Sequence, residues 1–136
     1  MVIQTAPDTA PLDRAELERA LLPFGHSRML PRAAYVDPAV FDWERRHFFD
    51  RDWLCVGRSE DTAEPGDQRA ESLGSAGVLL TRGQDGALRA FANVCSHRGH
   101  ELLACGTTAR HGRVICPYHS WSYTLEGEVW TAPGFK

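Results

Sequence analysis

Two short stretches of this 136-residue chain concentrate side chains able to hold a metal. They are Cys95-Ser96-His97-Arg98-Gly99-His100 and Cys116-Pro117-Tyr118-His119-Ser120-Trp121. The first pairs a thiol with an imidazole as C-x-H, the second as C-x-x-H. Such close spacing lets one loop present both side chains with little chain left to order. Thiolate and imidazole donors suit zinc or iron–sulfur chemistry and exclude calcium and magnesium, which take oxygen ligands. Spacing alone leaves a structural zinc site and an iron–sulfur centre both open. A disulfide between Cys95 and Cys116 is a third reading, disfavoured by the cytoplasmic setting expected below.

For four ligands to converge, the two stretches must hang from the ends of neighbouring elements. Ala90 to Val94 and Val114-Ile115 have strand character and lead directly into them. Upstream, Val78 to Arg82 and Leu88 to Asn93 read as strands joined through Gly83-Gln84-Asp85-Gly86, whose Asp-Gly pair favours a hairpin. Downstream, Ser120 to Tyr123 and Val129-Trp130 read as short strands around a turn at Leu125-Glu126-Gly127-Glu128. Trp53-Leu54-Cys55-Val56-Gly57 is expected to be a strand, burying Cys55 as a small hydrophobe, and Pro65-Gly66-Asp67 a turn. Before these come two helices. Asp13 with Glu16 has the form of a capping box opening one through Leu22, which Pro23 and Gly25 end. Asp37 as N-cap with Pro38 at the first helical position opens another, running to about Asp50. The fold class is therefore mainly β: an antiparallel domain behind two short N-terminal helices. The expected division is 1–30 for a polar, fraying tail with a short helix, 31–52 for a helical lead-in, and 53–136 for the β domain, its ligand loops at about 93–123.

Composition narrows the function classes. Fifteen Lys and Arg against eighteen Asp and Glu give a formal charge of −3, so no basic field exists to gather nucleic acid. The longest apolar run considered as a span, Gly77-Val78-Leu79-Leu80, is far below the 18 or so residues a membrane helix needs. Residues 1–8 lack the basic start and apolar run of a secretory signal, which makes cytoplasm the expected compartment.

The paired stretches resemble the C-x-H-R-G and C-P-Y-H-x-W boxes of Rieske [2Fe–2S] domains. More narrowly, they are similar to the Rieske domain at the N-terminus of the α subunit of Rieske non-haem iron oxygenases. Leu30-Pro31, Tyr35, the helix from Val40-Phe41 to Phe48-Phe49, Trp53 and Val56-Gly57-Arg58 match the start of such subunits. Pro65-Gly66-Asp67, Asp85-Gly86, Leu88-Arg89-Ala90-Phe91 and Asn93-Val94 match the run-up to the first box. The resemblance implies a [2Fe–2S] cluster with Cys95 and Cys116 on one iron and His97 and His119 on the other. It makes Arg98, Gly99, Pro117, Tyr118 and Trp121 supporting residues. Gly99 would allow a tight turn, Pro117 stiffen its loop, and Trp121 pack beneath the cluster, while Arg98 reads equally as a surface charge or a loop tie. Cys105 is left structural, His100 reads as a solvated loop residue, and His26, His47 and His111 lack partners at ligand spacing. Ser120 stands where the family often has Gly.

The resemblance further implies single-electron transfer from an NAD(P)H-dependent reductase or a ferredoxin, through the cluster, to a mononuclear iron that activates O₂. Family members assemble as oligomers. Respiratory-type Rieske proteins carry two further cysteines at the positions of His100 and Tyr118, and a serine at that of Trp121. Their absence here places the expected potential at the low end of the Rieske range, below about +100 mV within about −150 to +300 mV. No His-x₄-His pair occurs, so the mononuclear iron site is expected to be absent from this chain; because the resembled domain usually has more strands after the second box, the β domain is also expected to be incomplete at its C-terminal end. No catalytic residue is assigned. The reading is thus an electron-transfer domain of an oxygenase, against a free-standing Rieske ferredoxin or a zinc-binding module.

Overall fold

The computed structural model describes residues 9–135, so the expected fraying of residues 1–8 lies outside the described part. Two compact units appear, Met1–Trp53 and Leu54–Lys136. In the first, α1 spans Arg14–Ala20, and the carboxylate of Asp13 accepts the Glu16 N–H at 2.9 Å, as the capping motif requires. A short helix that the sequence did not announce, α2, covers Ala33–Val36. Asp37 ends it and caps α3, Pro38–Glu44, by accepting the Ala39 N–H at 2.9 Å. α3 then widens into a single π-helical segment over Arg45–Phe49, which carries the helical path to Asp50. There His47 stacks on Trp43, with centroids 4.4 Å apart, and its Nδ1 lies 2.8 Å from the Trp43 carbonyl, which accounts for this histidine structurally.

The second unit is antiparallel β throughout. Its larger sheet has the order β3-β2-β1-β4, from β1 (Asp67–Leu73), β2 (Ala76–Arg82), β3 (Leu88–Ala92) and β4 (Thr108–Arg110). The β2–β3 hairpin turns at Gly83–Gly86 as its Asp-Gly pair indicates, pairing Arg82 with Leu88. The smaller sheet has the order β5-β6-β7, from β5 (Val114–Ile115), β6 (Ser122–Tyr123) and β7 (Val129–Thr131). Gly127 turns the β6–β7 connection at φ +97°, with the Phe91 ring so close that a Cβ would meet it at 2.5 Å.

Two expectations fail together. Residues 53–57 form no strand, and Cys55 is exposed rather than buried. The apolar run is followed by a 3₁₀ turn at Ser59–Thr62, and Arg82 binds that turn through the carbonyls of Thr62 (2.7 Å) and Ser59 (3.0 Å). β4 pairs with β1 over Asp67–Arg69, and Cys55–Gly57 runs beside the remainder of β1 without forming a ladder with it.

Candidate metal centre

The two Cys/His stretches fold into the same local structure. In the first, a bridge between Val94 and Glu101 brackets the loop, the Cys95 N–H donates to the His100 carbonyl (2.7 Å) and the Gly99 N–H to the Cys95 carbonyl (2.8 Å). In the second, the Ile115–Ser122 pair brackets the loop, the Cys116 N–H donates to the Trp121 carbonyl (2.8 Å) and the Ser120 N–H to the Cys116 carbonyl (3.1 Å). Each loop thus closes twice, from its first residue to its sixth and from its fifth back to its first. That fifth residue must turn left-handed: Gly99 has φ +70° and Ser120 φ +60°, the one non-glycine residue with positive φ among those described. Asn93 secures the return arm of the first loop, its side chain donating to the Leu103 carbonyl (2.6 Å) and accepting the Leu103 N–H (3.1 Å).

The loops bring Cys95 beside Cys116 and His97 beside His119. Cys95 and Cys116 are buried free thiols within a core cluster that also holds Ala70, Leu79, Val114 and Tyr123, residues drawn from both sheets. The imidazoles sit further out: His97 is half-buried and His119 exposed, with ring centroids 5.0 Å apart. Among the described residues no three Cys, His, Asp or Glu side chains gather as a single ion would need. The arrangement is two pairs, thiols inside and imidazoles at the rim.

Electrostatics favours the ligating forms of Cys95 and His97. Burial alone would push the Cys95 thiol up, yet hydrogen bonds from the Tyr123 hydroxyl, the His97 N–H, the Cys116 thiol and the Arg98 N–H outweigh it, so Cys95 ionises more readily than an ordinary thiol. His97 is held towards its neutral form by burial first, then by His119 and Arg98.

The supporting residues divide by place. The Trp121 ring lies parallel to that of His97 (4.9 Å, 2°) and edge-on to Phe135 (5.2 Å), covering one face of the imidazole. Its buried Nε1–H has no hydrogen-bond partner among the described residues. Tyr118 lies against His119 at 3.7 Å. Arg98 and Pro117 are exposed, and His100, also exposed, stacks on Tyr118. Cys105 is exposed and outside the cluster of four; Glu101 beside it raises its thiol. Sequence reasoning missed Tyr123. Its hydroxyl lies 3.1 Å from Cys95 Sγ and 3.0 Å from Ser96 Oγ, and accepts the Ser96 N–H at 3.1 Å. The available signal was its position two residues beyond Trp121 on the strand that leaves the second loop.

Comparison with known proteins identifies the family. The family model of the Rieske [2Fe-2S] domain matches residues 52–136. The carnitine monooxygenase oxygenase subunit of Acinetobacter baumannii is 38% identical over 99 residues, covering 73% of this chain and 26% of that protein. The glycine betaine monooxygenase oxygenase subunit of Chromohalobacter salexigens is 36% identical over 100 residues, covering 74% and 22%. Among solved structures, the quaternary ammonium Rieske monooxygenase CntA with L-carnitine superposes with a TM-score of 0.66 at 36% identity, over 76% of this chain and 29% of that one. Naphthalene 1,2-dioxygenase from Rhodococcus sp. superposes with a TM-score of 0.70 at 28% identity, over 77% and 24%. The chain therefore spans about a quarter of the length of the relatives it matches.

Proposed function

Because this chain belongs to the Rieske [2Fe–2S] domain family, homologous to the electron-transfer domain of Rieske oxygenases, we propose that Cys95 and Cys116 hold one iron of its cluster and His97 and His119 the other. The carrying observation is the pair of identically closed loops, which set two buried thiols beside two outer imidazoles. The donor set fits such a centre. A two-iron cluster asks each metal for only two protein ligands, and the side chains come in pairs of one kind. Cys95 is eased towards thiolate and His97 towards the neutral base, and the orphaned indole N–H of Trp121 beside His97 suits an acceptor-rich neighbour. When bound, the cluster supplies a one-electron couple. The chain's own residues confine it: Trp121 screens His97, Tyr118 screens His119, and the core around the cysteines excludes water from the thiolate side.

In this reading residues 53–136 form the cluster domain and the chain passes single electrons. They come from an NAD(P)H-dependent reductase or ferredoxin and go to a mononuclear-iron oxygenase domain, in the cytoplasm. The identity to carnitine and glycine betaine monooxygenase subunits favours quaternary ammonium substrates for that oxygenase. Anaerobic reconstitution with iron and sulfide tests the assignment. The loaded chain should show the visible absorption and, once reduced, the electron paramagnetic resonance of a Rieske centre, with a midpoint below about +100 mV. Cys95→Ala and His119→Ala should abolish both signals. Stoichiometric zinc with neither signal in the parent chain would overturn the proposal in favour of a zinc module.

A further inference from the structure

The two loops hang from different sheets, the first after β3 and the second between β5 and β6, and no ladder pairs one sheet with the other among the described residues. Besides the His97–His119 contact, the His97–Trp121 stack and the Cys116–Cys95 thiol contact, two side-chain ties join the loops and their strands at opposite depths. The inner tie is buried: the Tyr123 hydroxyl, on β6, against Cys95 and Ser96. The outer tie lies at the surface, where the His100 ring stacks on Tyr118 with centroids 5.3 Å apart and planes inclined by 29°. Both partners of this outer tie are fixed at their bases. The His100 carbonyl accepts the Cys95 N–H, its Nδ1 lies 2.7 Å from the Glu101 carbonyl, and Tyr118 rides within the turn closed by Ser120 and Cys116. Tyr118 also lies on His119, so the stack spans from the end of the first loop to the outermost imidazole of the second.

We propose that the His100–Tyr118 ring pair is an outer clasp that holds the two loops closed at the imidazole side and limits how fast the centre is lost. The proposal rests on the ligand assignment above. Tyr123 ties the loops at the buried side and the His97–Trp121 stack joins them beneath the imidazoles, which leaves the exposed rim to the His100–Tyr118 pair. The clasp spans that rim. Both residues are positioning residues: they act through the geometry of His119 and the Cys95 loop.

The test is the rate at which excess EDTA bleaches the visible absorption of the reconstituted full chain. His100→Ala should bleach roughly 3- to 10-fold faster than the parent, which converts to about 0.7–1.4 kcal/mol at 1.36 kcal/mol per tenfold and lies in the range of an aromatic pair. His100→Phe keeps a ring and should stay within about twofold of the parent. Tyr118→Ala, which also uncovers His119, should bleach at least as fast as His100→Ala, and the double variant should be no faster than Tyr118→Ala, because the ring pair is already lost in it. An unchanged rate in His100→Ala, an equal acceleration in His100→Phe, or multiplying effects in the double variant would each overturn the clasp. If Tyr118→Ala takes up no cluster, the His100 pair of variants decides alone. If the parent takes up none, the ligand assignment falls instead. The clasp is then read in the metal-free chain from amide exchange at Cys95 and Gly99: faster in His100→Ala but not His100→Phe supports it, and unchanged in both overturns it.

Discussion

The hydroxyl of Tyr123 contacts Cys95 from 28 residues away and is buried with it, so its effect on the thiol is not diluted by water. Hydrogen bonds to a ligand sulfur favour the reduced, more negative state of an iron–sulfur centre. Tyr123→Phe keeps the ring and removes the donor. The midpoint should fall by roughly 20–60 mV, the equivalent of a hydrogen bond of about 0.5–1.5 kcal/mol at 59 mV per tenfold, with loading unchanged in the absorption spectrum. Ser120 makes a separate case. Its loop has the hydrogen-bond closure that Gly99 completes in the other, yet Ser120 carries a Cβ into left-handed backbone at φ +60°. That conformation costs an L-residue about 1–2 kcal/mol, partly offset by the greater freedom glycine loses on folding. Ser120→Gly should raise stability by about 0.5–1 kcal/mol in urea denaturation, whereas Ser120→Ala, which keeps the Cβ, should give no such gain.

Among the elements, the β2–β3 hairpin and the strands flanking both loops were legible because their turn chemistry and apolar residues point one way. β1 was not, since Asp67-Gln-Arg-Ala-Glu-Ser-Leu73 carries almost no apolar alternation, yet it is an inner strand of its sheet. It is buried on one face through Ala70 and through Gln68, whose side-chain amide donates to the carbonyls of His111 (3.2 Å) and Arg113 (3.0 Å), contacts some forty residues distant. The converse error was Trp53–Gly57, where strand propensity was present but no ladder forms, although Cys55–Gly57 runs beside β1. The candidate Cys/His pairs could be picked out for a related reason: each lies within one loop, whereas the Tyr123 contact exists only once both sheets have formed. β1 also carries the charged half of a network to the 3₁₀ turn. Arg69 bonds Asp61 and Glu71, and Asp67 bonds Arg110 on β4. For Asp61 the Arg58 N–H, ahead of Arg69, lowers the carboxyl below its ordinary value; for Asp67 it is Arg110 first. A carboxyl lowered on folding stabilises above its unfolded pKa and loses that contribution as pH falls past it, here below about pH 4. Thermal melts of the metal-free chain should drop between about pH 5 and 3, and Asp61→Asn should melt lower at pH 6 while losing less across that interval. An identical loss in both proteins would refute the role given to Asp61.

The whole chain exposes more large apolar surface than its charge balance suggests. In the first unit Phe24 and Trp53 are essentially fully exposed, and Met29, Tyr35 and Phe41 more than half so. In the second, β7 is an edge strand whose Val129 and Trp130 are about half exposed, and Ile115 on the opposite edge strand is similarly open. The Arg113 guanidinium lies over the Trp130 ring, at 3.9 Å. Scattered exposed aromatics are ordinary on a protein surface, but an unpaired strand edge bearing two of these residues offers both backbone hydrogen bonds and apolar area to another chain. A formal charge of −3 supplies little repulsion at physiological salt, where screening acts within about 8 Å. The isolated chain should therefore self-associate, with a weight-average mass in sedimentation equilibrium that rises with concentration above that of one chain. Val129→Lys places a charge on the edge outside the four candidate ligand residues, and it should shift the distribution towards monomer while leaving cluster absorption intact. If the parent is a monomer at all concentrations and melts cooperatively, the edge is already adequately protected by its own short length and the Arg113–Trp130 contact. If instead the variant and parent associate equally, the apolar side chains of the first unit become the surface to substitute next, beginning with Phe24 and Met29.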